Sequence, residues 1–130
     1  MSVRAVAKGV SISPRKVSVV AGLVRGRTVA DALVILDHTP RRAALQVRKT
    51  IESARANADR NHNMKPDSLF ITEISVTPGP RLKRIRPVAR GMAHPYQLRS
   101  SHIRVVVDGE VRAPKVAATK KSAANTKETK

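Results

Sequence analysis

The sequence predicts an α+β fold: a small, mainly antiparallel three-stranded sheet packed on three helices, with a long basic β-hairpin protruding from it. Three observations predict this. Apolar residues recur first at intervals of two, then in three stretches at intervals of three and four, then at intervals of two again, giving the order β, α, α, α, β, β. The last two strand-like runs are joined by residues 78–100, far more than the roughly two to five residues of an ordinary hairpin loop. From residue 74 to residue 107 the chain has no Asp or Glu.

Residues 3–10 read as a strand with Val3, Ala5 and Ala7 on one face and Arg4 and Lys8 on the other. Ser13 then suits a helix N-cap, and Pro14 the first helical position, where a missing N–H costs nothing. Val17, Val20, Ala21 and Val24 follow at helical spacing, and Gly26 suits the left-handed position just past the helix. A second helix is expected over residues 28–37, capped by Thr28 with Asp31 three residues on. Its expected apolar face is Val29, Ala30, Leu33, Val34 and Leu36. Thr39-Pro40 repeats the cap-plus-proline signal and is expected to open the longest helix, which runs to about residue 61. There Ala44, Val47, Ile51, Ala54 and Ala58 form one stripe, and the small alanines predict close packing on the sheet.

Residues 61–66 read as a turn and 68–77 as a strand with Phe70, Ile74 and Val76 on one face. Residues 101–107 read as a strand with Ile103, Val105 and Val107 opposite His102, Arg104 and Val106. The expected organisation is one globular unit over residues 1–110, hairpin 78–100 included. A basic tail follows over 111–130, without aliphatic periodicity and expected to be disordered in the free protein.

The chain carries 26 Lys and Arg against 9 Asp and Glu, a net charge of +17 on 130 residues, with an isoelectric point near 11.7. Such a charge opposes compact folding by self-repulsion unless a polyanion lies alongside. Composition therefore implies a nucleic-acid partner, while 41% hydrophobic residues support a modest core and argue against wholesale disorder. The absence of Cys excludes disulfides, thiolate zinc sites and a Cys nucleophile, and fits the cytosol. The four His show no zinc-like spacing, so no metal is expected. No apolar run approaches the roughly 20 residues of a membrane span, and no signal-peptide hydrophobic region opens the chain. One Phe and one Tyr offer little for binding single strands on aromatic platforms.

The segment 78–100 carries the functional signal. Arms of roughly 11 residues reach about 35 Å at strand rise, whereas a globule of about 100 residues has a radius of gyration near 13 Å. The segment cannot bury its own apolar surface, and its charges repel one another, so an extended anionic partner such as folded RNA must hold it. Arg81, Lys83, Arg84, Arg86, Arg90 and Arg99 are the candidate contacts, and Arg predominates because its planar fork grips phosphate and stacks on bases. Pro87 and Pro95 are expected to limit ladder pairing near the tip and leave the apex irregular. Arg41, Arg48 and Arg55 recur every seven residues along one flank of the long helix as a second candidate contact. Arg15 and Lys16, at a helix start, form a candidate phosphate corner with that helix N-terminus, and Arg104 completes the set.

Chemistry of other kinds finds no residues. Acidic side chains are scattered, no G-x-x-x-x-G-K-[ST] loop exists, and Ser11, Ser13 and Ser18 lack partners for nucleophilic catalysis. No catalytic residue and no cofactor is expected. Two other classes are consistent with a basic chain. One is a DNA-compacting architectural protein with a β-arm in the minor groove, which competition between duplex DNA and structured RNA would distinguish. The other is a cationic enzyme acting on RNA, which lacks a catalytic constellation here.

Three motifs in order carry a resemblance. The run Ile12-Ser13-Pro14-Arg15-Lys16-Val17 with Leu23-Val24-Arg25-Gly26 is the first. The second is Ser53-Ala54-Arg55-Ala56-Asn57-Ala58 with Asn61-His62-Asn63-Met64. The third runs from Gly79-Pro80 through Lys83-Arg84, Pro87, Ala89, Gly91, Ala93 and Arg99 to Ser101-His102-Ile103 and Val105-Val106-Val107. Together they cover residues 3–108, and the chain resembles the bacterial type of large-ribosomal-subunit protein twenty-two.

The resemblance implies a structural protein of the large ribosomal subunit, in the cytoplasm, that binds 23S-type rRNA and bridges its segments during assembly. It implies a hairpin lining the nascent-peptide exit tunnel, with Ala89, Arg90, Gly91, Met92 and Ala93 near the wall. Other large-subunit proteins, including protein four at the constriction, and the passing nascent peptide are the implied partners. Inside the hairpin the chain departs from the family's usual pattern: Val88, Met92 and Leu98 stand where basic residues are usual, and Pro95 interrupts the returning arm.

Overall fold

The computed structural model describes residues 2–112. Its elements run β1 (Val3–Val10), α1 (Pro14–Val24), α2 (Val29–His38), α3 (Arg42–His62), β2 (Phe70–Pro87) and β3 (Ala93–Asp108). The strands form one antiparallel sheet in the order β1-β3-β2, so the predicted α+β class is what is found. Strand alternation explains which face the helices cover. Val3 and Ala5 of β1 and Ile103, Val105 and Val107 of β3 are buried, whereas Arg4, Val6 and Arg104 lie on the open face.

The helices bury the stripes that their spacing dictates. Val17, Val20, Ala21 and Val24 of α1 are wholly buried. On α3, Ala44, Val47, Ile51, Ala54 and Ala58 are buried together with Ala43 and Thr50, and their small size lets the helix lie close to the sheet. Ile51, Met64, Leu69, Ile71, Ile74 and Ile103 are the bulkiest fully buried side chains, each worth roughly 1.5–3 kcal/mol of burial. Gly26 takes φ +74 just beyond α1, as predicted, and its N–H donates to the Ile71 carbonyl at 3.1 Å, tying the helix end to β2.

Several local expectations are corrected. Ser13 occupies the N-cap position and its carbonyl accepts the first helical bond from the Val17 N–H, but its side chain makes no capping hydrogen bond. On α2 the core-facing residues are Val29, Ala32 and Leu36, while Ala30 and Val34 are exposed. With apolar residues at most positions of α2, periodicity could not fix its rotation; packing on α3 did. Thr28 does cap α2, accepting from the Asp31 N–H at 3.2 Å. Thr39-Pro40 does not open α3. The Thr39 hydroxyl donates to the Ile35 carbonyl at 2.7 Å and closes α2, because a residue before proline is driven out of helical conformation. α3 starts at Arg42, with Arg41 extended before it.

Phe70 does not share a buried face with Ile74: it is exposed, and Ile71 is buried instead. A register shift between Ile71 and Glu73 inserts an extra residue and turns the face over. The apex is less irregular than the prolines suggest. Pairing continues to Pro87↔Ala93, and Pro95 sits opposite Ile85 within the ladder. In a two-stranded ribbon each strand has a free edge, and a proline can present its missing N–H there. Beyond β3, Val111 bridges to Met64 and the Arg112 N–H donates to the Asn63 carbonyl at 2.7 Å. The expected disorder of the tail lies, from residue 113 onward, outside the described residues.

Candidate nucleic-acid interface

The hairpin leaves the body at a tight neck. Between Pro78 and Arg81 the register shifts again, and the Ser100 hydroxyl donates to the Pro80 carbonyl at 2.6 Å. Gly79 is pressed so closely on the other arm that a Cβ there would lie 2.6 Å from Ser100 Oγ. Past this neck every residue from Arg81 to Arg99 is exposed. The arms close in a short turn at Ala89–Gly91, with Arg90 at φ 60 and Gly91 at φ 70, and the Val88 N–H donates to the Met92 carbonyl at 2.9 Å.

The register shows what each face of the ribbon carries. Residues directly opposite share a face, so Arg81/Arg99, Lys83/Gln97, Ile85/Pro95 and Pro87/Ala93 line one side. Leu82/Leu98, Arg84/Tyr96 and Arg86/His94 line the other. Arg81 directly opposite Arg99 is a like-charge pair, which disfavours pairing unless an anion lies over it. Ile85 is 70% exposed on a ribbon that has no body beneath it. The Arg86 guanidinium lies 5.4 Å from the Tyr96 ring centroid, a cation–π contact that braces the arm near its tip.

On the body, the sequence-predicted cations divide into two groups. Arg48 is engaged internally: it contacts Asp37 at 2.7 Å and Glu52 at 2.9 Å and is half-exposed. Arg15, Lys16, Arg41, Arg55 and Arg104 are exposed and, among the described residues, take part in no ion pair. Lys16 and Arg41 come together with Arg99 in a cleft of about 580 Å³ where α1 and α3 begin and the returning arm passes. Arg15 and Arg55 do not line it. Arg104 lies apart, in a polar pocket of about 440 Å³ at the far end of α3.

Sequence reasoning missed several lining residues. Arg42, Ile12 and Leu98 belong to the first cleft, and Arg4, Asn57, Asn61 and His62 to the second pocket. Nothing in the local sequence links Ile12 to Leu98, because only the β1–β3 pairing brings them together. His102 has a structural partner: the Gly9 N–H donates to its Nδ1 at 2.9 Å across a bulge in β1. Among the described residues no group of three or more His, Asp or Glu is placed to hold a metal ion, and no helix is long and apolar enough to cross a membrane.

The sequence matches the family described as Ribosomal protein L22p/L17e over residues 5–108. The chain belongs to this family. The L22p/L17e match runs from within β1 to the end of β3 and so includes the whole hairpin. Among relatives, Large ribosomal subunit protein uL22 of Roseiflexus sp. (strain RS-1) is 50% identical over 108 residues, covering 83% of this chain and 96% of that protein. The protein of the same name from Desulfitobacterium hafniense (strain Y51) is 51% identical over 104 residues, covering 80% of this chain and 91% of its own length. That of Herpetosiphon aurantiacus is 47% identical over 112 residues, covering 85% and 99%. These relatives are bacterial, as the resemblance implied, and membership of the L22p/L17e family makes the chain a structural ribosomal protein and not an enzyme.

Proposed function

We propose that this chain is a structural constituent of the large ribosomal subunit in the cytoplasm, where it binds 23S-type rRNA and bridges rRNA segments during assembly. The observation that carries this reading is the hairpin: fully exposed beyond its neck, without an acidic residue, and with Arg81 held opposite Arg99. Folded RNA on both sides of the ribbon supplies the counter-charge and covers Ile85 and Leu82. Arg81, Lys83, Arg84, Arg86, Arg90 and Arg99 contact that RNA along the arms. Arg15, Lys16, Arg41, Arg55 and Arg104 contact it on the body, with Arg48 subordinate because its carboxylate partners compete.

Recognition is by RNA shape and by unpaired bases, since the deep, narrow major groove of an A-form helix excludes side chains. The tip, Ala89, Arg90, Gly91, Met92 and Ala93, lines the nascent-peptide exit tunnel near large-subunit protein four, where the growing peptide passes. No chemical step is involved.

Sedimentation of extracts from cells carrying the tagged chain tests the reading. The chain is expected to travel with the large subunit after the two subunits are dissociated. Sedimentation at the top of the gradient, or with chromosomal DNA, would refute it.

A further inference from the structure

The cleft at the neck, unlike the polar pocket that holds Arg104, has an apolar lining. Ile12 packs half-buried against the core, and Leu98 from the returning arm is 49% exposed beside it. Around them stand Lys16 of α1, Arg41 and Arg42 at the start of α3, and Arg99 of the arm. Among the described residues none of these four cations forms an ion pair, so their charge is not spent within the protein.

The topology explains the opening. β3 is the central strand, but β1 pairs with it only as far as Val10↔Ser101. Beyond Ser101 the outer edge of the arm is free, and the chain from β1 into α1 faces it across the cleft. An occupant therefore touches both the body and the hairpin.

Phosphates alone would be held by a flat basic face and would gain nothing from an apolar floor. The cleft, at about 580 Å³, lies within the roughly 300–1,000 Å³ of sites that enclose a molecule the size of a nucleotide. Ser11, Ser13 and Gln97 on its wall can donate to and accept from a base edge. Bases in a duplex are stacked and cannot enter such a recess, whereas an unpaired base in a loop or bulge can be splayed out.

We propose that this cleft takes one unpaired nucleotide of the bound RNA, its base against Ile12 and Leu98 and its flanking phosphates on Lys16, Arg41, Arg42 and Arg99. The inference rests on the RNA-binding reading above and specifies the form of RNA that the neck receives. The occupant joins the body to the hairpin and so fixes the direction in which the hairpin leaves.

The test uses the full chain with its leucines replaced by photoleucine, bound to a full-length transcript of bacterial 23S-type rRNA and irradiated. Leu23, Leu82 and Leu98 are 46%, 51% and 49% exposed, so accessibility alone predicts similar labelling. Leu98 is expected to join the base of a single, unpaired nucleotide. Arg41→Gln together with Arg42→Gln is expected to lower that adduct about tenfold or more, because both charge-assisted contacts to the flanking phosphates are lost. Leu82 adducts should persist in that variant. Leu98 adducts scattered over many nucleotides, confined to paired ones, or no more frequent than those of Leu23 would overturn the proposal while leaving RNA binding intact. Absence of rRNA adducts at every leucine, Leu82 included, would overturn the RNA-binding reading itself.

Discussion

Gly79 and Arg48 show how single residues set limits on the rest. At Gly79 a side chain would collide with Ser100 Oγ at 2.6 Å and approach the Ser100 carbonyl carbon at 3.2 Å. Gly79→Ala is therefore expected to destabilise the fold by about 1–3 kcal/mol, the usual cost of overpacking, as read from chemical denaturation. Arg48 sits on the same helical flank as Arg41 and Arg55, yet Asp37 and Glu52 already hold its guanidinium. On that basis Arg41→Gln should reduce the slope of log affinity against log salt by roughly 0.7–0.9, the loss of one phosphate contact. Arg48→Gln should change that slope by clearly less, in the same titration against rRNA. Equal effects would mean that the ion pairs seen here open on binding.

At the scale of elements, the hairpin and the body are separable. The core side chains all come from residues 3–74 and 103–107, while residues 81–99 bury nothing. Replacing residues 82–98 with an Asn-Gly turn joins Arg81 to Arg99, which already face each other in the ladder. The shortened chain is expected to unfold cooperatively with little loss of stability, and the thermal transition checks it; loss of the transition would mean the hairpin supports the core.

The same separation explains what was legible in the sequence. Along α1, α3, β1 and β3 the apolar period matches the face each element turns to the core, so periodicity named most of their buried residues, missing Ala43 and Thr50 of α3. The rotation of α2, the start of α3 and the face of Phe70 were misread because each depends on a tertiary event: packing on α3, the constraint Pro40 puts on Thr39, and the bulge after Ile71. The hairpin cations were legible from charge alone. The neck cleft was not, because Ile12, Arg42 and Leu98 meet only through the pairing of distant strands.

At the scale of the whole molecule, a net charge of +17 on a core built largely of Val, Ala and Ile makes the free protein electrostatically unfavourable and favours association with a polyanion. Cations lie on the exposed arms, at the neck and on the open sheet face, so the proposed RNA partner would meet the protein from several directions. The most direct measurement is cross-linking of the tagged chain in its own cells, with sequencing of the recovered nucleic acid and mapping of the adducts on the protein. Recovery of large-subunit rRNA with adducts between residues 81 and 99 is the expected result. Recovery of mainly chromosomal DNA or scattered messenger RNA would contradict the ribosomal account and favour an architectural, DNA-compacting role.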